Sequence, residues 1–135
     1  MIAVLDASAA IELLLRRGGA AAIIGVLGEA DHVAVPDLYI AEVANAIWKL
    51  EIAAGEKTHG RDLLRDAVAL PDEIIPSIDL VNEAYAFSVK HGHPVYDSLY
   101  AIAARRNGAT LLTMDRRLAA LATSEGLPVV PVAKQ

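Results

Sequence analysis

Hydrophobic and polar positions change period along the chain, and each change marks an element. Ile2-Ala3-Val4-Leu5 is an unbroken apolar run that stops at Asp6, with Ser8 close behind. Such a run fits a strand covered on both faces. Val33-Ala34-Val35, closed by Pro36-Asp37, reads as a second strand, Glu73-Ile74-Ile75-Pro76 as a short third, and Ala109 to Thr113 as a fourth. Leu127 to Val132 supplies a last one at a sheet edge, because Pro128 and Pro131 cannot donate to a ladder.

Between these runs the period is helical. A first helix begins near Ser8, as cap or first turn, and reaches about Leu15; a second covers Ala20 to Ala30. The strongest runs from Leu38 to Ala54 and is stopped by Gly55. Its apolar stripe is Ile40, Val43, Ala44, Ile47 and Trp48, while Glu42, Asn45 and Lys49 share another side. Lys57 to about Leu70 turns Leu63, Leu64, Ala67 and Val68 inward, and leaves Arg61, Asp62, Arg65 and Asp66 wet. Ser77 to Lys90, ended by Gly92, should bury Ile78, Val81, Ala84, Tyr85 and Ser88 or Val89. Pro94 to Arg106 and Asp115 to Ser124 complete the set. The alternation predicts an α/β fold with a central parallel sheet of four or five strands.

At 135 residues the chain has the length of one domain, spanning 1–135, and can bury about two thirds of its unfolded surface. The absence of cysteine excludes disulfides, thiolate zinc sites and thiol catalysis, and suits a cytoplasmic setting. The first apolar run carries Asp6 and Glu12 and lacks a basic leader, so neither a signal peptide nor a membrane contact is expected. With 55 % hydrophobic residues but one Phe and one Trp, the core is made of Ala, Val, Ile and Leu. Alanine-rich helices also leave room for a homodimer contact. A net charge of -5 argues against indiscriminate nucleic-acid binding through a basic field. It does not argue against a nucleic-acid substrate, because cations held among gathered acids reverse the local potential.

Four carboxylates stand where an α/β sheet places its ligands, beyond the carboxyl ends of the strands. Asp6 ends the first strand, Glu42 lies early in the long helix, Asp97 opens a later helix, and Asp115 follows Thr113 by two residues. A lone acid after a strand is ordinarily just solvated; the joint arrangement carries the inference. Carboxylates brought together repel unless protons or cations intervene. Hard oxygen donors without thiolate or paired imidazole select Mg²⁺ or Mn²⁺. One or two such ions can hold a phosphodiester, activate a water and stabilise the leaving oxygen.

Around them, Ser8 and Thr113 are supporting hydroxyls or plain caps, and Asn45 lies one turn beyond Glu42. Arg116 and Arg117 are candidate contacts to substrate phosphates, or else solvated helix charges. His91 and His93, two apart, and the distant His32 and His59 form no HExxH and read as turn and surface residues, with a transition-metal site as the minor alternative. Tyr96 either packs over the pocket or is an ordinary half-buried aromatic.

The segments Val4-Leu5-Asp6-Ala7-Ser8, Glu42-Val43-Ala44-Asn45-Ala46, Tyr96-Asp97-Ser98-Leu99-Tyr100-Ala101-Ile102-Ala103 and Leu111-Leu112-Thr113-Met114-Asp115-Arg116-Arg117-Leu118 resemble, in order and spacing, the PIN-domain family. The likeness is closest to its small VapC-like ribonuclease toxins. It implies a three-layer α/β/α sandwich, an Mg²⁺- or Mn²⁺-dependent endoribonuclease acting on RNA, and a homodimer. It also implies a cognate antitoxin whose tail covers the acidic groove, with DNA bound only through that antitoxin. Asp6, Glu42, Asp97 and Asp115 match the family's metal-site acids, and Ser8 and Thr113 its supporting hydroxyls. Some members carry a further acid shortly after the position of Asp115, where this chain has Arg116, Arg117 and Leu118, so a second metal subsite is less secure.

Other readings fare worse. No GxGxxG follows the first strand, a dehalogenase-like phosphatase would want an acid at Ser8, and no late strand offers the lysine of a receiver domain. The alternatives that remain are an RNA-processing nuclease that is not a toxin, or a metal- and partner-binding domain with weak catalysis.

Overall fold

The computed structural model describes residues 1–54 and 59–131. Five strands, β1 (Ile2–Leu5), β2 (His32–Pro36), β3 (Glu73–Ile75), β4 (Thr110–Thr113) and β5 (Val129–Pro131), form one parallel sheet in the order β3-β2-β1-β4-β5. The helices are α1 (Ala7–Leu14), α2 (Ala20–Glu29), α3 (Leu38–Ala54), α4 (Gly60–Ala69), α5 (Ser77–His91), α6 (Val95–Asn107) and α7 (Arg116–Ser124). Contacts among α1 to α4 define one covering layer, and those among α5, α6 and α7 the other. The result is a three-layer α/β/α sandwich around a parallel sheet.

β1 lies at the centre because it is covered on both faces: Ala3, Val4 and Leu5 are fully buried. Its partners are β2 on one side and β4 on the other, with Leu5 opposite Leu112. The strand order reverses direction there, so the carboxyl ends of β1 and β4 open the crevice that such sheets use for ligands. α6 crosses the same region and is buried along the whole run Ser98 to Ala104. Its small residues Ala101, Ala103 and Ala104 let it lie close to the sheet while α5 covers its back.

Three inward assignments need correction. In α3 the buried line is Tyr39, Val43 and Ile47; Trp48 lies about 100° further round the helix and is 56 % exposed. In α4, Ala67 is buried but Val68 is 41 % exposed. In α5 the buried line is Leu80, Ala84 and Phe87, whereas Ile78, Val81, Tyr85 and Val89 are 79 %, 36 %, 64 % and 67 % exposed. Two apolar stripes share α5, and periodicity alone does not choose which one faces the sheet. The expected helix stop at Gly55, the start of a helix at Lys57 and the end of the last strand at Val132 lie outside the described residues.

Candidate active site

Asp6 begins the site. It follows β1 directly and caps α1, with Oδ1 accepting from Ala9 N at 2.9 Å. Ser8 lies in the first turn of α1 and donates its hydroxyl to the same oxygen at 2.6 Å, while accepting from Met114 N at 2.9 Å. Thr113, fully buried at the end of β4, donates to Asp6 Oδ2 and accepts from Asp115 N at 2.9 Å. Both oxygens of Asp6 are thereby tied to the turn after β4. Asp115 caps α7, its Oδ1 accepting from Arg117 N and Leu118 N at 2.9 and 3.1 Å.

Glu42 projects from the second turn of α3, and its Oε1 accepts from the Tyr100 hydroxyl at 2.7 Å. Tyr100 is buried in α6, one turn beyond Asp97. Asp97 stands in the first turn of α6 with Oδ2 lying 3.0 Å from His93 Nε2. One oxygen each of Glu42, Asp97 and Asp115 has no hydrogen-bond partner among the described residues.

These acids line one open cavity of about 410 Å³, together with Ser8 and Asn45. Burial pushes the Asp6 carboxyl up to about 6, against the hydrogen bonds from Ser8, Thr113 and Ala9; the charge of Glu42 pushes the same way as burial. Glu42 is raised by burial and by Asp97, with the Tyr100 bond opposing. Asp97 is raised by burial and by the charge of Asp115, with His93 and Arg117 opposing. Beside burial, each of these three carboxyls is pushed up by the charge of a neighbouring acid, as in a set that shares a cation when none screens it.

The arrangement is open. Among the described residues no three His, Asp or Glu side chains are gathered tightly enough to hold an ion as they stand. The donor chemistry nevertheless fits a hard divalent cation: carboxylates and hydroxyls, with three carboxylate oxygens left over.

The remaining expected residues take different places. Thr113 supports Asp6 from beneath, outside the cavity lining. Arg116 and Arg117 are absent from that lining, and the Arg117 guanidinium donates to Gly92 O at 2.8 Å, beside Asp97. Instead, Arg17 and Lys49 reach the cavity with heads that make no hydrogen bond or ion pair among the described residues. The spacing Glu42-Asn45-Lys49 already put that lysine on the right side of α3. Tyr100, three residues after Asp97, was signalled in the same way by helical spacing. His93, expected at a turn surface, is 5 % exposed, while His91 meets Glu125 at 2.9 Å and His32 meets Glu73 at 2.8 Å.

A parallel sheet with this order, and acids converging at its switch point, define a PIN-type domain. A family model of the PIN domain matches residues 3–124, and the chain belongs to that family. It is similar to Ribonuclease VapC3 of Pyrobaculum aerophilum, 31% identical over 128 residues, which cover 86% of this chain and 91% of the relative. Its fold is shared with the crystal structure of PAE2754 from Pyrobaculum aerophilum, at a TM-score of 0.72 and 24% identity over 98% of this chain and 90% of that one. It is shared too with VapBC2 from Rickettsia felis, solved bound to a DNA fragment from its promoter, at a TM-score of 0.67 and 16% identity over 97% and 98% of the two chains.

Proposed function

We propose that the protein is a metal-dependent endoribonuclease that hydrolyses RNA phosphodiester bonds, acting as the toxin of a toxin–antitoxin pair. The observation that carries this reading is the cavity at the β1/β4 switch point, lined by Asp6, Glu42, Asp97 and Asp115, which offer only hard oxygen donors, with the carboxyls of Asp6, Glu42 and Asp97 raised chiefly by burial. Asp6, Asp97 and Asp115 would hold the principal Mg²⁺ or Mn²⁺. Such an ion supplies charge neutralisation at the phosphoryl group and an acidified water.

The protein's own groups do the rest. Ser8 and Thr113 fix the plane of the Asp6 carboxylate, and the Tyr100 hydroxyl holds Glu42 by one oxygen, leaving the other to orient the attacking water or to ligate a second ion. The raised pKa of Glu42 suits a group that takes a proton from that water. Arg17 and Lys49 line the same cavity and would grip backbone phosphates there, and phosphate contacts of this kind position RNA without reading bases. The expected products carry a 5′-phosphate and a 3′-hydroxyl.

Total cellular RNA incubated with the purified protein in Mg²⁺ or Mn²⁺ should show discrete new ends. EDTA, and separately Asp97→Asn, should abolish them. Intact RNA from a protein that demonstrably binds the ions would shift the reading to a binding domain without effective catalysis.

The partners follow the same reading: an antitoxin whose tail covers the acidic cavity and through which alone DNA is engaged, and a second copy of this chain. The row Ile78, Val81, Tyr85 and Val89 along α5 supports the homodimer, since it leaves four large apolar side chains in water at helical spacing. Two copies of α5 packed antiparallel about a twofold axis would bury both rows, and would set the Asp79 end of each against the Lys90 end of the other. Tyr85→Glu combined with Val89→Glu is expected to halve the mass seen in sedimentation while leaving the far-ultraviolet spectrum unchanged. No helix among the described residues is long and apolar enough to cross a membrane.

A further inference from the structure

We propose that His93 is a positioning residue for Asp97, steadying one carboxylate oxygen so that the other is presented to a divalent cation; this rests on the nuclease reading above. The link between α5 and α6 is the tripeptide Gly92-His93-Pro94. Gly92 closes α5 in the left-handed region at φ +64°, a conformation that favours glycine, and its N–H donates to Ser88 O at 2.8 Å. Pro94 caps α6, its carbonyl accepting from Ser98 N and from the Ser98 hydroxyl, both at 3.2 Å; that hydroxyl lies 2.7 Å from the hydroxyl of Ser88. His93 N donates to Ser88 O at 3.3 Å. Both helices therefore hold the His93 backbone in place.

Its side chain is 2 % exposed, and Nε2 lies 3.0 Å from Asp97 Oδ2, one turn along α6. The distance suits a hydrogen bond, yet the direction does not: neither ring nitrogen has a hydrogen-bond partner among the described residues. A buried polar group left in that condition is destabilising. An aliphatic side chain would fill the same space without that cost, so packing does not account for an imidazole here. What the imidazole adds is a ring nitrogen 3.0 Å from Asp97 Oδ2, able to donate to that oxygen once ring and carboxylate align, while Oδ1 has no hydrogen-bond partner among the described residues. Carboxylates that ligate a cation are themselves held by neighbouring hydrogen-bond donors, and loss of such a neighbour weakens metal binding. Arg117, tied to Gly92 O at 2.8 Å, adds a fixed positive charge near the same acid.

The test is the Mn²⁺ affinity of the RNA-free protein, measured by calorimetry for wild type, His93→Leu, His93→Met and His93→Gln. Leu and Met fill the volume without a donor, and the unbranched Met adapts where Leu does not fit; Gln retains an N–H. The donor-free variants are expected to bind Mn²⁺ about 10–100-fold more weakly, with melting temperatures no lower than wild type, and Gln to recover most of the loss. In cleavage the Mn²⁺ requirement should rise while KM for RNA stays constant. A folded Leu or Met variant with wild-type Mn²⁺ affinity overturns the positioning role and leaves the nuclease reading standing. Equal weakening in Met and Gln overturns it too, because only shape would then matter. Failure of the wild type itself to bind Mn²⁺ overturns both.

Discussion

Asp6→Asn is expected to yield a protein that is more stable than wild type at pH 7 and inactive. The Asp6 carboxyl is buried and its pKa is raised from 3.8 to about 6, so it ionises less readily in the folded chain than in the unfolded one. Between those pH values the folded state binds more protons, and stability falls as pH rises through the window. At 1.36 kcal/mol per unit the full effect is about 3 kcal/mol, present at pH 7 and gone below about pH 4. Asparagine removes the charge and keeps an oxygen for Ser8 and Ala9, but sets an amide against Thr113. A net gain of about 1–2 kcal/mol at neutral pH should remain after that mismatch. Urea melts of both proteins at pH 4, 5.5 and 7 should show the advantage growing with pH. On the nuclease reading, cleavage should fall by roughly three orders of magnitude, since several kcal/mol of charge stabilisation would depend on the ion that Asp6 would help to hold. An Asn variant less stable than wild type at pH 7 would mean that the buried charge is favoured by its neighbours.

Asp115 combines two duties that substitution can separate. Its Oδ1 accepts from the first free N–H groups of α7, and its other oxygen has no partner among the described residues. Asp115→Asn keeps a capping oxygen and should leave the melting temperature nearly unchanged, while lowering cleavage by about two orders of magnitude or more. Asp115→Ala should lose as much activity and a further ~1 kcal/mol of stability through the missing cap. Thermal melts beside cleavage rates read the two losses independently. If the Ala variant melted like the Asn variant, the cap would contribute nothing to α7.

The strands and helices were legible because their signals are local. The unbroken run before Asp6, the turn at Gly92 and the prolines near Val129 each follow from a few neighbouring residues, and the structure has elements at each. The acids at the rim were legible for a related reason: parallel topology sends every strand's carboxyl end to one side, so Asp6 and Asp115 had to be near one another once β1 and β4 paired. What local pattern did not determine was phase and depth. Both stripes of α5 are apolar, and docking against α6 selects Leu80, Ala84 and Phe87. The burial of His93 likewise depends on how closely α5 and α6 approach. Lys49 and Tyr100 were legible by helical spacing from Glu42 and Asp97, but their chemistry emerged only when α3 and α6 met across the cavity.

The bond from Thr113 to Asp6 spans 107 positions of sequence, and this has a bearing on how the protein is born. A ribosome extends a chain at about 5–20 residues per second, so roughly 5–20 s separate the appearance of Asp6 from that of Thr113. For most of that interval Asp97 and Asp115 have not yet been made, and β1 lacks the neighbour that holds its terminal carboxylate in place. On the nuclease reading, the centre is complete only near the end of synthesis, and the nascent chain would spare the ribosome and message that are making it.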